Sequence, residues 1–126
     1  DFCLSRGLGD VYKRQDLPIG RACITARVQQ GQAERLILHP RDHGCHAADV
    51  EWTAETLWTE QALAALDNRG PLVDALRWNS GAYLWFSGLC DSLEAGLQQA
   101  ESVMRSGKAL ACLDQLRDWR SHLSIR

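Results

Sequence analysis

The chain has 126 residues, of which 45% are hydrophobic and 24% charged. This composition is typical of one soluble globular domain and argues against a disordered chain. The formal net charge of -2 and a pI near 6.1 give no general electrostatic reason to bind a polyanion. No apolar run approaches the roughly 20 residues that a membrane helix requires, so we expect a soluble, cytoplasmic protein.

The cysteine pattern supports the same expectation. The five cysteines are widely spread, and Cys23, Cys90 and Cys112 lie inside strand-like or helix-like patterns. Such positions suit small buried thiols better than a disulfide framework. A reducing cytoplasm is the setting that fits.

The first 15 residues differ from the rest of the chain. They lack a clear helical or strand period, and two glycines interrupt their few apolar positions. Ser5 to Gln15 resembles a translated sequencing-adapter tail, of the kind found at broken reading frames in metagenomic assemblies. The alternative is a natural flexible tail. We expect residues 1–15 to be non-native, with a natural sequence that begins near Asp16 and is truncated upstream.

A β-hairpin is predicted next. Ala22, Ile24, Ala26 and Val28 alternate with more polar residues, which is the period of a half-buried strand. After a polar turn, Arg35 to His39 reads as the return strand, which Pro40 ends because proline has no N–H to donate. Residues 41–51 are predicted to form a loop.

Four helices are predicted after this loop. Thr53 is the expected cap of a first helix from Ala54 to about Leu66, and Pro71 suits the first turn of a second. Apolar stripes cover most of the second helix, so it should lie between two layers. Asp91 and Glu94 resemble a capping box that opens a third helix, and a fourth carries leucines at positions 110, 113, 116 and 123.

Five tryptophans, at positions 52, 58, 78, 85 and 119, are many for a core of this size. We expect some of them to be partly exposed unless a missing partner covers them.

Several segments carry a resemblance to one known family. Gly70 to Leu84 resembles the late Gly-Pro helix of anthranilate phosphoribosyltransferases, with Asn79 at its middle. Asp91 to Gly96 and Ser106 to Leu110 are similar to the closing helices, the latter through a Ser-Gly-Lys-Ala run. The hairpin and Leu38 to Gly44 resemble the strand pair and loop that precede them. The similarity extends in order from Asp16 to the C-terminus.

The resemblance implies that residues 16–126 are the C-terminal part of a larger α/β domain. This piece would be a β-hairpin followed by about four α-helices, without the family's small N-terminal helical domain. The implied activity is transfer of phosphoribosyl from phosphoribosyl pyrophosphate to anthranilate, a step of tryptophan biosynthesis that uses Mg²⁺ on the pyrophosphate. This chain has no Gly-rich phosphate loop. We therefore expect it to be inactive by itself and to carry no catalytic or substrate-binding residue.

One metal ligand is implied by the resemblance. The family has an Asp-Glu pair for Mg²⁺ just before the hairpin, and Asp16 stands at the position of its Asp. The Glu position is occupied by Leu17, which lowers both the charge and the number of oxygen ligands. This departure puts ordinary catalysis in doubt, and a plain loop or capping role for Asp16 is the alternative.

Two further polar features have competing interpretations. His39, His43, Cys45 and His46 could bind Zn²⁺, but no second ligand cluster stands at zinc-finger spacing, so an ordinary loop is favoured. Asn79, in a nearly all-apolar helix, is predicted to be a core amide bonded to a neighbouring backbone group, not a substrate contact.

A second class of function stays open. The family includes paralogues that keep the fold, lack this activity and bind nucleic acid through a basic surface. Leu17 favours such a paralogue, whereas the acidic balance and the absence of a basic stripe disfavour it. Basic residues gather near the C-terminus, but Asp114 and Asp118 dilute them and favour an ordinary solvated helix face. They are Arg105, Lys108, Arg117, Arg120 and Arg126.

Overall fold

A computed structural model describes residues 17–51 and 53–123 of the chain. Two antiparallel strands, β1 (Cys23–Gln29) and β2 (Gln32–Leu38), are followed by a short 3-10 turn at Pro40–His43. The helices are α1 (Glu55–Leu66), α2 (Val73–Phe86), α3 (Leu93–Arg105) and α4 (Lys108–Leu123). The expected hairpin followed by four helices is confirmed. Within the described residues, no helix has the length and apolar character needed to cross a membrane.

The hairpin turns the less apolar side of β1 towards the helices. Cys23 is buried and pairs with the buried Leu38, and both lie in the core. Ala26 and Val28, which belong to the apolar alternation, are exposed instead. The strand period in the sequence was therefore correct, but it did not determine which face meets the helices, because each strand has only a few side chains of either kind.

Two predicted helix starts are wrong in detail. Ala54, not Thr53, is the N-cap of α1, and no side-chain hydrogen bond caps this helix. The Thr53 hydroxyl donates instead to the carbonyl of Ala54 at 3.5 Å. Pro71 lies in a turn before α2, whose N-cap is Leu72. Both helices begin slightly later than local preference suggests, since packing decides their ends.

The cap of α3 is also shifted from the predicted position. Ser92, not Asp91, is the N-cap, and its Oγ accepts a hydrogen bond of 3.1 Å from the backbone N–H of Ala95. The predicted apolar side of α3 is confirmed, because its members at positions 93, 97, 100 and 104 are all buried.

Helices α2 and α3 cross at very close range. A Cβ atom at Gly96 would overlap the carbonyl oxygen of Gly81. A Cβ atom at Gly81 would lie 2.8 Å from the backbone nitrogen of Leu97. Side chains larger than hydrogen are therefore excluded at both positions, and the two backbones can pack directly against each other.

The core lies where this helix pair meets the hairpin. Trp78, at 0% exposure, is its largest fully buried side chain. Around it pack apolar residues from the hairpin and its flanking segments, α2 and α3: Leu17, Ile19, Cys23, Leu38, Cys45, Ala75, Ala82, Leu93 and Leu97. As predicted, α2 is nearly enclosed, and among its residues only Tyr83 is largely exposed, at 51%.

Helix α4 contributes much less to the core. None of its residues is buried, and Leu116, Trp119 and Leu123 are 57%, 60% and 54% exposed. The expectation that some tryptophans would be exposed is confirmed at Trp119. The leucines at positions 110 and 113 are half-buried, so only the first half of α4 packs on the other helices.

Candidate functional site

The side chain of Asn79 binds the backbone of residue 17. Its Oδ1 accepts from the Leu17 N–H at 2.8 Å, and its Nδ2 donates to the Leu17 carbonyl at 3.0 Å. The same Nδ2 donates to the Ala75 carbonyl one turn earlier in α2, at 3.1 Å. The prediction of a satisfied core amide at Asn79 is confirmed, because every described partner is a backbone group.

Residue 17 is a core position in this structure. The Leu17 side chain is 7% exposed and belongs to the cluster around Trp78. A hydrocarbon side chain cannot ligate a metal, and one directed into the core is also removed from the solvent in which a hydrated cation moves. Position 17 therefore does not fit the second half of a Mg²⁺-binding carboxylate pair. Asp16, the predicted first half, lies outside the described residues.

Asp49 is a carboxylate that contacts the segment just after position 17, and it already has partners. Asp49 accepts from the Gly20 N–H at 2.9 Å through Oδ1, and its Oδ2 lies 3.4 Å from Arg21. These contacts tie the loop after the 3-10 turn to the segment that leads into β1. Asp49 is explained as a structural link and does not replace the missing Glu.

The histidines of the loop are directed to separate partners. His39 caps the 3-10 turn, where its Nδ1 accepts from the Arg41 N–H at 3.3 Å. The Nδ1 of His43 lies 3.1 Å from Glu94 at the start of α3, and its ring lies 5.7 Å from that of Trp78. No group of three or more metal-ligating side chains is found within residues 17–51 and 53–123. The ordinary-loop interpretation therefore fits better than the zinc site.

Cys45 and Arg77 form the most buried polar contact of this region. The Cys45 thiol has 0% exposure and lies 3.3 Å from Nη2 of Arg77. Burial raises the pKa of Cys45, and the attraction of the Arg77 charge offsets only part of this rise. The thiol is therefore protonated at neutral pH and is not an activated nucleophile.

Arg77 joins the loop to two helices. Its Nη1 donates to Glu101 of α3 at 3.1 Å, and its Nη2 donates to the Gly44 carbonyl at 2.9 Å. Asp74, one turn earlier in α2, lies 3.7 Å from Nη2. Because both terminal nitrogens of Arg77 are directed to protein groups and its Nε is buried, Arg77 acts as a structural connection and is not available to bind a phosphate.

The cysteines differ in environment. Cys23 and Cys45 are buried, Cys90 is intermediate and Cys112 is exposed, and all four are free thiols. The expectation of unpaired cysteines holds for these four, but the expected burial is wrong for Cys112, which lies on an exposed side of α4.

An apolar groove lies between the helices. Its volume is about 720 Å³, and its walls come from all four helices and the α2–α3 turn, including Leu66, Leu76, Phe86, Leu89, Val103 and Met104. Tyr83, two serines and Gln99 supply its few polar atoms. A groove without cationic side chains suits apolar groups and does not suit a polyphosphate. Sequence reasoning did not anticipate this groove, which depends on how the helices are arranged.

The described residues thus form a hairpin and four helices with ion pairs between them. A comparison with protein-family models gave no match. Individual relatives, in contrast, are readily found.

The chain is similar to curated anthranilate phosphoribosyltransferases over most of its length. The Xanthomonas campestris enzyme is 32% identical over 105 residues, which cover 79% of this chain and 30% of that enzyme. The Acidovorax sp. enzyme is 30% identical over 113 residues, covering 84% of this chain and 33% of the relative. The Laribacter hongkongensis enzyme is 30% identical over 105 residues, or 80% of this chain. The resemblance seen in the sequence is confirmed.

The coverage is unequal on the two sides of the comparison. This chain spans about 30% of the length of the curated relatives it matches. About two thirds of each relative therefore has no counterpart in the matched region.

Proposed function

We propose that this chain is the C-terminal part of a phosphoribosyltransferase that transfers phosphoribosyl from phosphoribosyl pyrophosphate to anthranilate, in tryptophan biosynthesis. The observation that carries the proposal is the 32% identity to an anthranilate phosphoribosyltransferase across 79% of the chain. In the same proposal residues 16–126 are one part of its α/β domain, residues 1–15 are foreign, and the protein works in the cytoplasm. Residues 1–15 lie outside the described part of the structure.

The contribution of this chain to the activity is structural. Pyrophosphate displacement needs cationic or backbone donors directed at the leaving phosphates. Arg77 is engaged by Glu101 and Gly44, and the helix groove is apolar. Phosphate and anthranilate binding therefore belong, in this proposal, to other parts of the longer protein, and the chain alone is inactive.

The residue at position 17 reduces the set of side chains that could bind Mg²⁺ in this chain. In the relatives' mechanism as the resemblance implies it, the ion would neutralise the leaving pyrophosphate. Here the Leu17 side chain packs in the core, so only Asp16 is left as a candidate ligand. No step of the reaction is assigned to this residue pair.

The proposal is tested by an assay of anthranilate consumption with phosphoribosyl pyrophosphate and Mg²⁺. The chain alone should show no turnover. A chimera in which the matched part of this chain replaces its 105-residue counterpart in the Xanthomonas campestris enzyme should regain turnover, with the unaltered enzyme as the positive control. Turnover by the chain alone would contradict the scaffold role, and a folded but inactive chimera would contradict the enzyme assignment.

A non-catalytic, nucleic-acid-binding paralogue is the second candidate, and the burial of Leu17 favours it. The charges do not support it, because Arg105 pairs with Glu101 at 2.6 Å and Arg117 with Asp114 at 3.1 Å. Duplex DNA binding measured at two salt concentrations separates the candidates. A phosphate-binding surface must lose affinity steeply as salt rises, and we expect no binding even at low salt.

A further inference from the structure

The hairpin has two faces of unequal composition, and the more apolar one is turned away from the helices. The face away from the helices carries three cross-strand pairs: Ile24 with Ile37, Ala26 with Arg35, and Val28 with Ala33. Five of these six side chains are apolar. A two-stranded sheet normally buries its apolar face, so residues 17–51 and 53–123 supply no complete covering layer for this one.

Exposure confirms that the described residues leave this face open. Ile37 is 70% exposed and Val28 is 72% exposed, which are among the highest values for large apolar side chains in the structure. The other face is covered at the end nearest the core, where Cys23 and Leu38 are buried, and the Arg27 guanidinium lies 5.0 Å from the ring centre of Trp85. The exposed apolar residues form one continuous patch, not scattered surface positions.

We propose that this outer hairpin face is an interface for the polypeptide that the relatives possess beyond the matched region. This inference rests on the proposed function only in taking the chain to be part of a longer protein of that family. The covering layer is expected to be apolar, with one carboxylate opposite Arg35.

The size of the face argues for a covalently continuous partner over a second copy of the chain. Two seven-residue strands at about 3.3 Å per residue, each occupying a width of about 4.8 Å, give a face of about 220 Å². A stable dimer buries about 800 Å² per partner. A layer within the same polypeptide does not lose the translational freedom that association costs, so a small contact suffices.

The charge on the face supports a partner with an acidic group. Arg35 stands at the middle of the outer face and is exposed. No ion pair to Arg35 is found among residues 17–51 and 53–123. Covering an isolated guanidinium with apolar groups alone would cost free energy, so the covering layer must supply an acceptor.

The test compares thiol labelling in two contexts: the chain alone and the chimera with the Xanthomonas campestris enzyme. Ile37→Cys reports on the outer face, and Glu34→Cys is the matched control, since it lies on the same strand, faces the other way and is exposed. Cys3, Cys90 and Cys112 are first replaced by Ser to remove background labelling. Maleimide labelling rates are then measured at several protein concentrations.

We expect Ile37→Cys to label at least tenfold more slowly in the chimera than in the chain alone, whereas Glu34→Cys changes less than twofold. Equal rates for Ile37→Cys in the two contexts overturn the proposal. Protection of Ile37→Cys in the chain alone that grows with concentration also overturns it, because the occupant would then be a second copy. A protected but inactive chimera supports the interface while contradicting the proposed function, so the two failures are distinguishable.

Discussion

The α2–α3 crossing and the β-hairpin differ in how completely they bury their apolar side chains. At the crossing, Gly81 and Gly96 bring two backbones into contact and the core closes around Trp78. In the hairpin, the inner face joins that core while Val28 and Ile37 stay in solvent. The described residues bury the apolar side chains at the crossing, whereas in the hairpin they bury only side chains of the inner face. Substitutions in the two regions should therefore differ strongly in cost.

Gly96→Ala should have the largest effect. The added methyl group overlaps the Gly81 carbonyl, and backbone atoms cannot move aside without separating the helices. Overpacking of this kind costs about 3 kcal/mol of unfolding free energy or more. Urea unfolding followed by circular dichroism measures it, with the exposed Gln98→Ala on the same helix as control. A cost below about 1 kcal/mol would show that the crossing is looser than the structure indicates.

Asn79→Leu should have the next largest effect. It removes three hydrogen bonds and leaves both backbone groups of Leu17 without their side-chain partner. Leaving buried polar groups unsatisfied costs about 2–3 kcal/mol. Asn79→Asp keeps the acceptor for the Leu17 N–H but loses the donor, and the same unfolding measurement should place it between wild type and Asn79→Leu.

Ser92→Ala tests the start of α3 on a smaller scale. The hydroxyl accepts from the Ala95 N–H, and removing such a cap costs about 1 kcal/mol. Asp91→Ala is the matched control, because the cap lies one residue later than the sequence suggested, and its effect should stay within about 0.5 kcal/mol. A larger loss of unfolding free energy for Asp91→Ala than for Ser92→Ala would show that Asp91 caps α3, as the sequence predicted.

Ile37→Thr should have the smallest effect in the chain alone. The side chain is 70% exposed and threonine retains β-branching. The free energy of unfolding, measured by thermal denaturation, should therefore change by no more than about 0.5 kcal/mol. Leu38→Thr, at the adjacent buried position, should cost several times more. Equal losses of unfolding free energy for Ile37→Thr and Leu38→Thr would contradict the difference in burial between the two hairpin faces.

The sequence was most informative where its signals were local. The alternation around Ile24 indicated a strand, the leucine spacing of α3 indicated its buried side, and Asn79 stood out as a polar residue in an apolar helix. Each of these outcomes is governed by residues a few positions apart. The helix starts at Thr53 and Asp91 were wrong by one residue, because several nearby residues can cap and packing selects among them.

The candidate site was predictable only through resemblance. Asp16 and Leu17 drew attention because a known pattern has an acidic pair there, and nothing in the chain's own periodicity marks them. The burial of Leu17, the His43–Glu94 contact and the Cys45–Arg77 contact depend on segments far apart in sequence. Such contacts have no local signature.

The sequence by itself determined the order of elements, the family resemblance and the apolar side of α3, because these depend on near neighbours and on residue pattern. Only the tertiary structure decided which hairpin face meets the helices and that two glycines permit the α2–α3 contact. It also decided that position 17 belongs to the core. The physical reason is that burial is a property of what lies opposite a side chain, and that neighbour is supplied by distant parts of the fold.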